Sequence, residues 1–443
     1  MNLDASYPFP HGFLWGTATA AHQVEGGNTN NNWHQWEQMP GRIKGEQVSG
    51  KACDWWGGRW KEDLGNALDG GQNAHRLSIE WSRIQPSPDR WDESALDFYR
   101  EMLRWLRQNG MTPMVTLHHF TEPLWVTEKG SWENSDVPAL FAAFVRRAVP
   151  ALQEFCNLWI TVNEPTGYVV NAYLEGSFPP GKHDLGITYK ALGNMVRAHA
   201  GAYRALHELQ PEAQVGFAKY YRSMHPEKSW FPPDVWITRY LSNSFNNAFA
   251  GALTDGQFRF AAKSERIPEA AKTQDFIGLN YYTRDIMVFN LLDAKNLFVR
   301  RYYSPQAALS ESGFIANEPD GMWDGLKWAR RYDLPIYITE NGVEDSKDTL
   351  RPRFLLEHLH QVWRAANFSW RVKGYFHWSQ VDNFEWERAW TQRFGLWGLD
   401  VDTQKRIHRP SVDLYAEICK ANAISTEMVR KYAPESMQRI FPT

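Results

Sequence analysis

The sequence predicts an α/β protein, a single (β/α)8 TIM barrel with long βα loops, on three observations. Eight short apolar runs alternate with longer amphipathic stretches along the chain. Polar and aromatic residues gather at the C-terminal ends of those runs, which share one face when such a barrel closes. No Ser/Gly/Pro linker, low-complexity tract or short repeat divides the 443 residues, so 1–443 reads as one domain.

The first strand is expected over 13–18 and the second over 73–79, which carries Arg76. A helix over 92–109 follows, with Asp92 as its start signal and Asn109-Gly110 as its stop. The third strand, 113–118, ends at His118-His119 and precedes a helix over 136–155. The fourth, 157–163, ends at Asn163-Glu164 and leads to a helix over 188–209. The fifth is 213–219, followed by helical sequence near 232–250 that turns polar around Asn246. The sixth, 275–281, ends in Asn280-Tyr281-Tyr282, with a helix over 322–331. The seventh, 335–340, ends at Glu340, and a helix over 350–368 follows. The eighth, 372–378, reaches Trp378, with Glu385-Trp386 beyond it and a last helix over 410–422. The loops after strands one, four, five and six are long enough to carry small strands or lids.

Composition excludes several classes. A net charge of −3 gives no electrostatic case for nucleic acid or an anionic membrane surface. No run of 18 apolar residues marks a membrane span, and the first residues lack the basic and apolar regions of a signal peptide. Cys53, Cys156 and Cys419, odd in number and far apart, suggest thiols in a reducing compartment. A cytoplasmic address is expected, and a homo-oligomer is left open. The 22 Trp fit equally a large aromatic core and a site whose rings stack on sugar faces.

Two stretches carry the chemistry. Leu158-Trp-Ile-Thr-Val-Asn-Glu-Pro165 and Leu334-Pro-Ile-Tyr-Ile-Thr-Glu-Asn-Gly342 are apolar runs that end in a glutamate and break at Pro or Gly. A carboxylate at the tip of a buried strand is costly unless it is paired or used. Strands four and seven lie nearly across a barrel, so Glu164 and Glu340 can face each other over a cleft, the arrangement that glycosidic cleavage needs. A separation of roughly 5 Å gives a covalent intermediate and retention, and about 6.5–9.5 Å gives inversion through water. One such glutamate alone is as well explained by a helix cap or an ion pair with Arg76; two together, with Asn163 and Tyr282 at neighbouring strand ends, favour catalysis. Arg76 can be a structural ion-pair partner and also hold a carboxylate in its ionised form. His118 and His119 cannot readily chelate one metal, because adjacent strand residues point to opposite faces. One is expected in the core and the other in hydrogen bonding. Two carboxylates suffice for the chemistry, so no metal and no organic cofactor is expected.

Four stretches then resemble the signatures of glycoside hydrolase family 1, the β-glucosidase and β-galactosidase family. They are Phe13-Leu-Trp-Gly-Thr-Ala-Thr-Ala-Ala-His-Gln-Val-Glu-Gly26, Thr161-Val-Asn-Glu-Pro165, Ile338-Thr-Glu-Asn-Gly342 and Trp378-Ser-Gln-Val-Asp-Asn-Phe-Glu-Trp386. The matches run in family order from residue 7 to about 412. The resemblance implies a retaining double displacement, with Glu164 as acid/base and Glu340 as nucleophile. It implies that Arg76 and Tyr282 orient the nucleophile and that Asn163, beside Asn280, contacts the sugar 2-hydroxyl. Gln23, His119, Glu385 and Trp386 would grip the distal hydroxyls, over a Trp378 platform. The expected partner is a β-linked di- or oligosaccharide, or an aryl or alkyl β-glycoside. An acidic Glu385 disfavours 6-phosphorylated sugars, whereas glucose, galactose and fucose all stay open. Glu164 is retained, unlike in the members that handle thioglucosides.

There are departures. Phe120, in His119-Phe-Thr-Glu-Pro123, replaces the family's usual Trp and lacks its N–H donor. Phe314 stands where a Trp is usual on the leaving-group side, and Glu387 and Arg388 are uncommon choices. Leaving-group preference is what these put in question. A transglycosylase using the same site, and a catalytically silent carbohydrate-binding barrel, are the rival expectations.

Overall fold

The computed structural model describes residues 5–293 and 297–442. Eight parallel strands close into a barrel: β1 Leu14–Ala18, β2 Ala74–Ser78, β3 Thr112–His118, β4 Leu158–Asn163, β5 Gln214–Tyr220, β6 Phe276–Asn280, β7 Ile336–Asn341 and β8 Val372–Trp378. Each strand pairs with its sequence neighbours, and β8 pairs with β1 to close the ring. All eight expected runs form these strands, shifted by one residue at most. Mostly buried on both faces, they are largely apolar in sequence, β2 with His75 and Arg76 being the main exception.

The helices of the outer ring are α1 Trp60–Asp69, α2 Glu93–Gln108, α3 Val137–Leu152, α4 Leu185–Leu209, α5 Ala248–Asp255, α6 Pro319–Arg330, α7 Arg351–Asn367 and α8 Pro410–Ala421. Asp92 caps α2 by accepting from the backbone N–H of Ser94 at 2.9 Å and Ala95 at 3.3 Å. The helix expected from 188 starts earlier, because the Asp184 carboxylate accepts from Ile187 N–H at 2.8 Å and caps the turn before it. The segment expected as one helix near 232–250 is two: Pro232–Ser242 and α5, joined by a wide turn at Asn243–Asn247. Helix α1 has no counterpart among the sequence expectations; it lies inside the long connection after β1, where its apolar positions are diluted by Lys61, Glu62 and Asp63.

The long loops differ in what they build. Those after β5 and β6 contribute Ser223–Pro226, Arg284–Phe289 and Val299–Tyr302 to one three-stranded sheet beside the barrel mouth. Those after β1 and β4 form short helices instead. The loop after β8 is equally important, since it bears Glu385 and Trp386 and ends in a ribbon of Gly398–Leu399 with Arg406–Ile407.

Tryptophan is mainly core: Trp15, Trp33, Trp55, Trp60, Trp81, Trp132 and Trp159 are among the largest fully buried side chains. The three cysteines are buried and free. Among the described residues no helix is long and apolar enough to cross a membrane.

The β8 loop is pinned at Asp382, chiefly by its ion pair with Arg409, with Arg393 a second cation at 3.9 Å. Arg409 donates from Nη1 and Nη2 to Asp382 Oδ1 and Oδ2 at 2.9 and 2.8 Å, and Gly395 N–H donates to Oδ1 at 2.9 Å. Both side chains are buried, so removing Arg409 takes away the bidentate partner of a carboxylate in a poor solvent and leaves it only the distant Arg393. Replacing Arg409 by Met is expected to lower unfolding stability by about 3–5 kcal/mol, read from urea titration.

Candidate active site

Glu340 is the next-to-last residue of β7, and its carboxylate is held from two sides. Arg76 on β2 donates from Nη1 to Oε1 at 2.6 Å, and the Tyr282 hydroxyl donates to Oε2 at 2.6 Å. The guanidinium is fully buried and spends its other donors on Asn163 Oδ1 at 2.7 Å, Thr116 Oγ1 at 3.2 Å and the Thr339 carbonyl at 3.0 Å. It therefore ties β2 to β3, β4 and β7 across the barrel interior. A buried charge-assisted network of this kind fixes its members in one arrangement. Gly342 closes the approach of β7 to β8: a Cβ there would lie 1.9 Å from the Trp378 carbonyl oxygen, so no side chain fits.

Glu164 follows β4 in a left-handed conformation, φ 45° and ψ 49°, immediately before Pro165 opens a short helix. For a residue with a Cβ that conformation is strained, and such strain gathers at functional sites. Phe120 (φ 68°) and Trp386 (φ 48°) share it at the same mouth. One oxygen of Glu164 accepts from the Asn280 amide at 2.7 Å. Burial at the floor of the cleft, and then the charge of Glu340, push the Glu164 pKa up to about 8. The two glutamates thus occupy contrasting surroundings: Glu340 meets a cation and a hydroxyl, Glu164 a neutral amide.

Asn163 and Asn280 link these groups. Asn163 Oδ1 accepts from Arg76 and from Asn280 Nδ2, the latter at 3.2 Å, and its Nδ2 meets His119 Nε2 at 2.9 Å. Asn280 Oδ1 accepts from the Thr339 hydroxyl at 2.6 Å. The His119 ring lies 5.9 Å from both Trp378 and Trp386 in near-stacked geometry. His118 points the other way, packed edge-on to Trp132, Phe141 and Tyr168. Burial pulls both imidazoles below their ordinary pKa, so each is neutral near pH 7.

Gln23 Nε2 donates to Glu385 Oε2 at 3.2 Å, to Asn383 Oδ1 at 3.0 Å and to the Phe384 carbonyl at 2.8 Å. Gln23 Oε1 and His119 Nδ1 are buried with no protein partner among the described residues. Burial, then the charge of Glu387, pushes Glu385 up to about 8. The cleft holds about 540 Å³ and is lined by His119, Asn163, Glu164, Tyr282, Glu340, Trp378, Glu385 and Trp386, with Phe120, Phe178, Tyr220, Tyr303 and Phe314 around them. All eleven residues singled out in the sequence therefore meet at one barrel mouth: Arg76, Asn280 and Gln23 bond to cleft-lining groups, and the other eight line it directly.

Further residues reach this cleft without having been singled out. Glu175, Arg222, Asp285, Arg301 and Tyr303 come from the loops after β4, β5 and β6. Phe314, Glu387 and Arg388, noted as departures in the sequence, also line the cleft: the Arg388 guanidinium lies over the Phe314 ring at 3.7 Å and pairs with Glu387 at 3.3 Å. Lys219, behind the wall of β5, was also missed. Its signal was present, since a lysine breaks the otherwise apolar run Val215-Gly-Phe-Ala-Lys-Tyr220.

Comparison with known proteins follows the same geometry. The sequence model of glycosyl hydrolase family 1 matches residues 5–424. The chain is 34% identical to beta-glucosidase A of Thermotoga maritima over 451 residues, covering 94% of this chain and 98% of that protein. It is 30% identical to a beta-galactosidase of Sulfolobus acidocaldarius, covering 95% and 96%. Among solved structures it resembles a beta-glycosidase from Pyrococcus horikoshii, with a TM-score of 0.90, 34% identity and coverage of 97% and 98%. It also resembles the Thermotoga maritima beta-glucosidase in complex with glucoimidazole, with a TM-score of 0.88, 30% identity and coverage of 94% and 100%.

Proposed function

The chain belongs to glycosyl hydrolase family 1, and from that membership we propose that it is a retaining β-glycosidase acting on terminal, non-reducing β-D-glucosides. Two carboxyl groups in unlike surroundings carry the proposal: Glu340 held by Arg76 and Tyr282, and Glu164 raised by burial. A carboxyl kept protonated by burial, facing one held by a cation and a hydroxyl, divides the acid role from that of the attacking group.

Glu340 attacks the anomeric carbon as the bond to the leaving oxygen breaks, and Glu164 gives its proton to that oxygen. A glycosyl ester on Glu340 results. Its formation removes the Glu340 charge, one of the causes that raises Glu164, so Glu164 becomes a carboxylate able to take a proton from water. The water oxygen bonds to the anomeric carbon, Glu340 leaves, and the sugar is released with its original β configuration. Arg76 and Tyr282 hold Glu340 in line throughout, and Tyr282 can follow its oxygen as charge moves into the new bond.

Substrate follows from the polar groups that the protein itself leaves unpaired. Gln23 Oε1 and His119 Nδ1 suit sugar hydroxyls, joined by the Glu385 carboxyl that lines the cleft, with Trp378 and Trp386 as apolar faces. Glu385, kept largely protonated near pH 7 by burial, stands as a hydroxyl-binding group and supplies no cation for a 6-phosphate. The relatives' names, beta-glucosidase and beta-galactosidase, support a neutral hexose and put galactoside hydrolysis within reach. A cytoplasmic setting, motivated by three unpaired buried thiols, completes the proposal.

The test is hydrolysis of an aryl β-D-glucoside followed by NMR before the sugar can mutarotate. The β-anomer is expected first. An α-anomer first would overturn retention, and no cleavage of glucoside, galactoside or fucoside would favour a silent barrel. Dominant sugar-transfer products at dilute substrate would favour the transglycosylase alternative.

A further inference from the structure

Lys219 is an ionisable group that the reaction described above leaves unused. It sits on β5 with 1% of its surface exposed, and its Nζ has no hydrogen-bond partner among the described residues. Alternation along the strand sends it to the same side as Phe217, whose ring packs on Phe249 of α5 at 5.0 Å. The amine therefore lies outside the barrel wall, beneath the helical layer. There it rests 4.2 Å from the centre of the Phe245 ring, and the Arg222 guanidinium approaches the same ring at 5.9 Å.

An ammonium in such a place loses water without gaining an acceptor, which few folds retain without return. The ring face compensates in part. The other compensation comes from Glu164. The Glu164 N–H donates to the carbonyl of Ala218, the residue before Lys219, at 2.8 Å, so the strand register sets the two side chains on either side of one stretch of wall. Each acts on the other through charge: the Glu164 carboxylate favours the ammonium, and the ammonium favours the carboxylate.

We propose that Lys219 is a positioning residue for the acid/base step, holding Glu164 within a usable range of protonation from behind the barrel wall. The proposal rests on Glu164 being the acid/base. No proton passes between Lys219 and the sugar. When Glu164 gives its proton to the leaving oxygen, the new carboxylate is stabilised by the ammonium form of Lys219, and solvent supplies the proton that the amine takes up. Burial lowers the Lys219 pKa to about 7, so this change of state is available near neutrality. Other groups act on Glu164 as well: Glu340 from β7, Arg76 from β2 and the Asn280 amide from β6. Tyr282 and Tyr220 sense its charge in turn. On the far side Lys219 faces Arg222, which is itself paired with Asp285 at 2.6 Å.

The test is the pH dependence of kcat/KM for the Lys219→Met variant with two substrates: an alkyl β-D-glucoside, whose departure needs the acid, and 2,4-dinitrophenyl β-D-glucoside, whose departure does not. Without the amine, Glu164 holds its proton to higher pH. The alkaline limb for the alkyl glucoside is expected to move upward by about half a pH unit or more, with the dinitrophenyl profile in place. Lys219→Arg, permanently charged, is expected to move that limb the opposite way. Met also removes a buried amine whose lowered pKa opposes folding below pH 10.5, so the Met variant is expected to melt no lower than the unaltered protein at pH 7. Superimposable alkyl-glucoside profiles, or equal shifts with both substrates, would overturn the role of Lys219 while leaving Glu164 as the acid. An unaltered protein whose alkaline limb ignores the leaving group would overturn both.

Discussion

Replacing Glu340 by Gln is expected to reduce turnover of an aryl β-D-glucoside by about five orders of magnitude, the scale on which removing a nucleophile from a concerted set of groups acts. The amide keeps the size of the carboxylate but cannot attack the anomeric carbon. It also presents an N–H₂ where Arg76 or Tyr282 now donates, at 2.6 Å each. One of those donors must then turn away or lose its acceptor, so the side chain is displaced as well as disarmed. The substitution leaves Arg76 bonded to Asn163, Thr116 and Thr339. The barrel is therefore expected to stay folded, which circular dichroism and the melting temperature check. A complementary measurement uses the unaltered protein. A 2-deoxy-2-fluoro-β-D-glucoside with a good leaving group should react once and stop, because the fluorine slows both displacements and the activated leaving group spares only the first. Peptide mass analysis should then find the sugar on Glu340. Label on another residue, or near-normal turnover of the Gln variant, would remove Glu340 from the role.

The barrel and the centre of the site were legible in the sequence for a common physical reason. Most strands are buried on both faces, so their sequence is largely apolar until the residue that reaches the mouth, and the change from apolar to polar marks both the strand end and the site; β2, with His75 and Arg76 in its middle, is an exception. Asn163-Glu164, Asn280-Tyr281-Tyr282 and Glu340 all sit at such a change. What the sequence hid was set by loops, whose course depends on contacts far away in the chain. Asp382 holds the β8 loop through Arg409, 27 residues later, and nothing local to Glu385 announces where that loop will turn. The same holds for Arg222, Asp285 and Tyr303, which reach the cleft only because the loops after β5 and β6 pair into a sheet. Lys219 is the opposite case. Its local signal was clear, a charge inside an apolar strand, but its meaning required knowing that Phe245 and Glu164 flank it.

Replacing Glu164 is expected to separate the two halves of the reaction, which replacing Glu340 cannot do. With an alkyl glucoside or a disaccharide, the Glu164→Ala variant should lose about 10²–10⁴-fold in kcat/KM, the usual contribution of a placed general acid. With 2,4-dinitrophenyl β-D-glucoside the same constant should change little, because that leaving group departs without a proton. Breakdown of the glycosyl ester should still be slow, since no base remains to activate water. The ester then accumulates: a burst of dinitrophenolate precedes a slow steady state, and KM falls together with kcat. Azide, which needs no base and fits the space left by the side chain, should restore turnover and yield the β-glucosyl azide. The pH profile changes in a defined direction. In the unaltered protein activity on the alkyl glucoside should persist until the proton leaves Glu164 near pH 8 and then fall; in the variant that limb disappears. Stability moves with it. Because the folded protein holds this proton more tightly than the unfolded chain, whose glutamates titrate near 4.5, folding is progressively penalised from about pH 4.5 to about pH 8 and carries the full penalty above. Glu164→Gln removes that penalty, so its melting temperature should exceed that of the unaltered protein at pH 9 by more than it does at pH 5. A variant that kept full activity on alkyl glucosides, or that lost equally on both leaving groups without rescue by azide, would show that the proton comes from elsewhere.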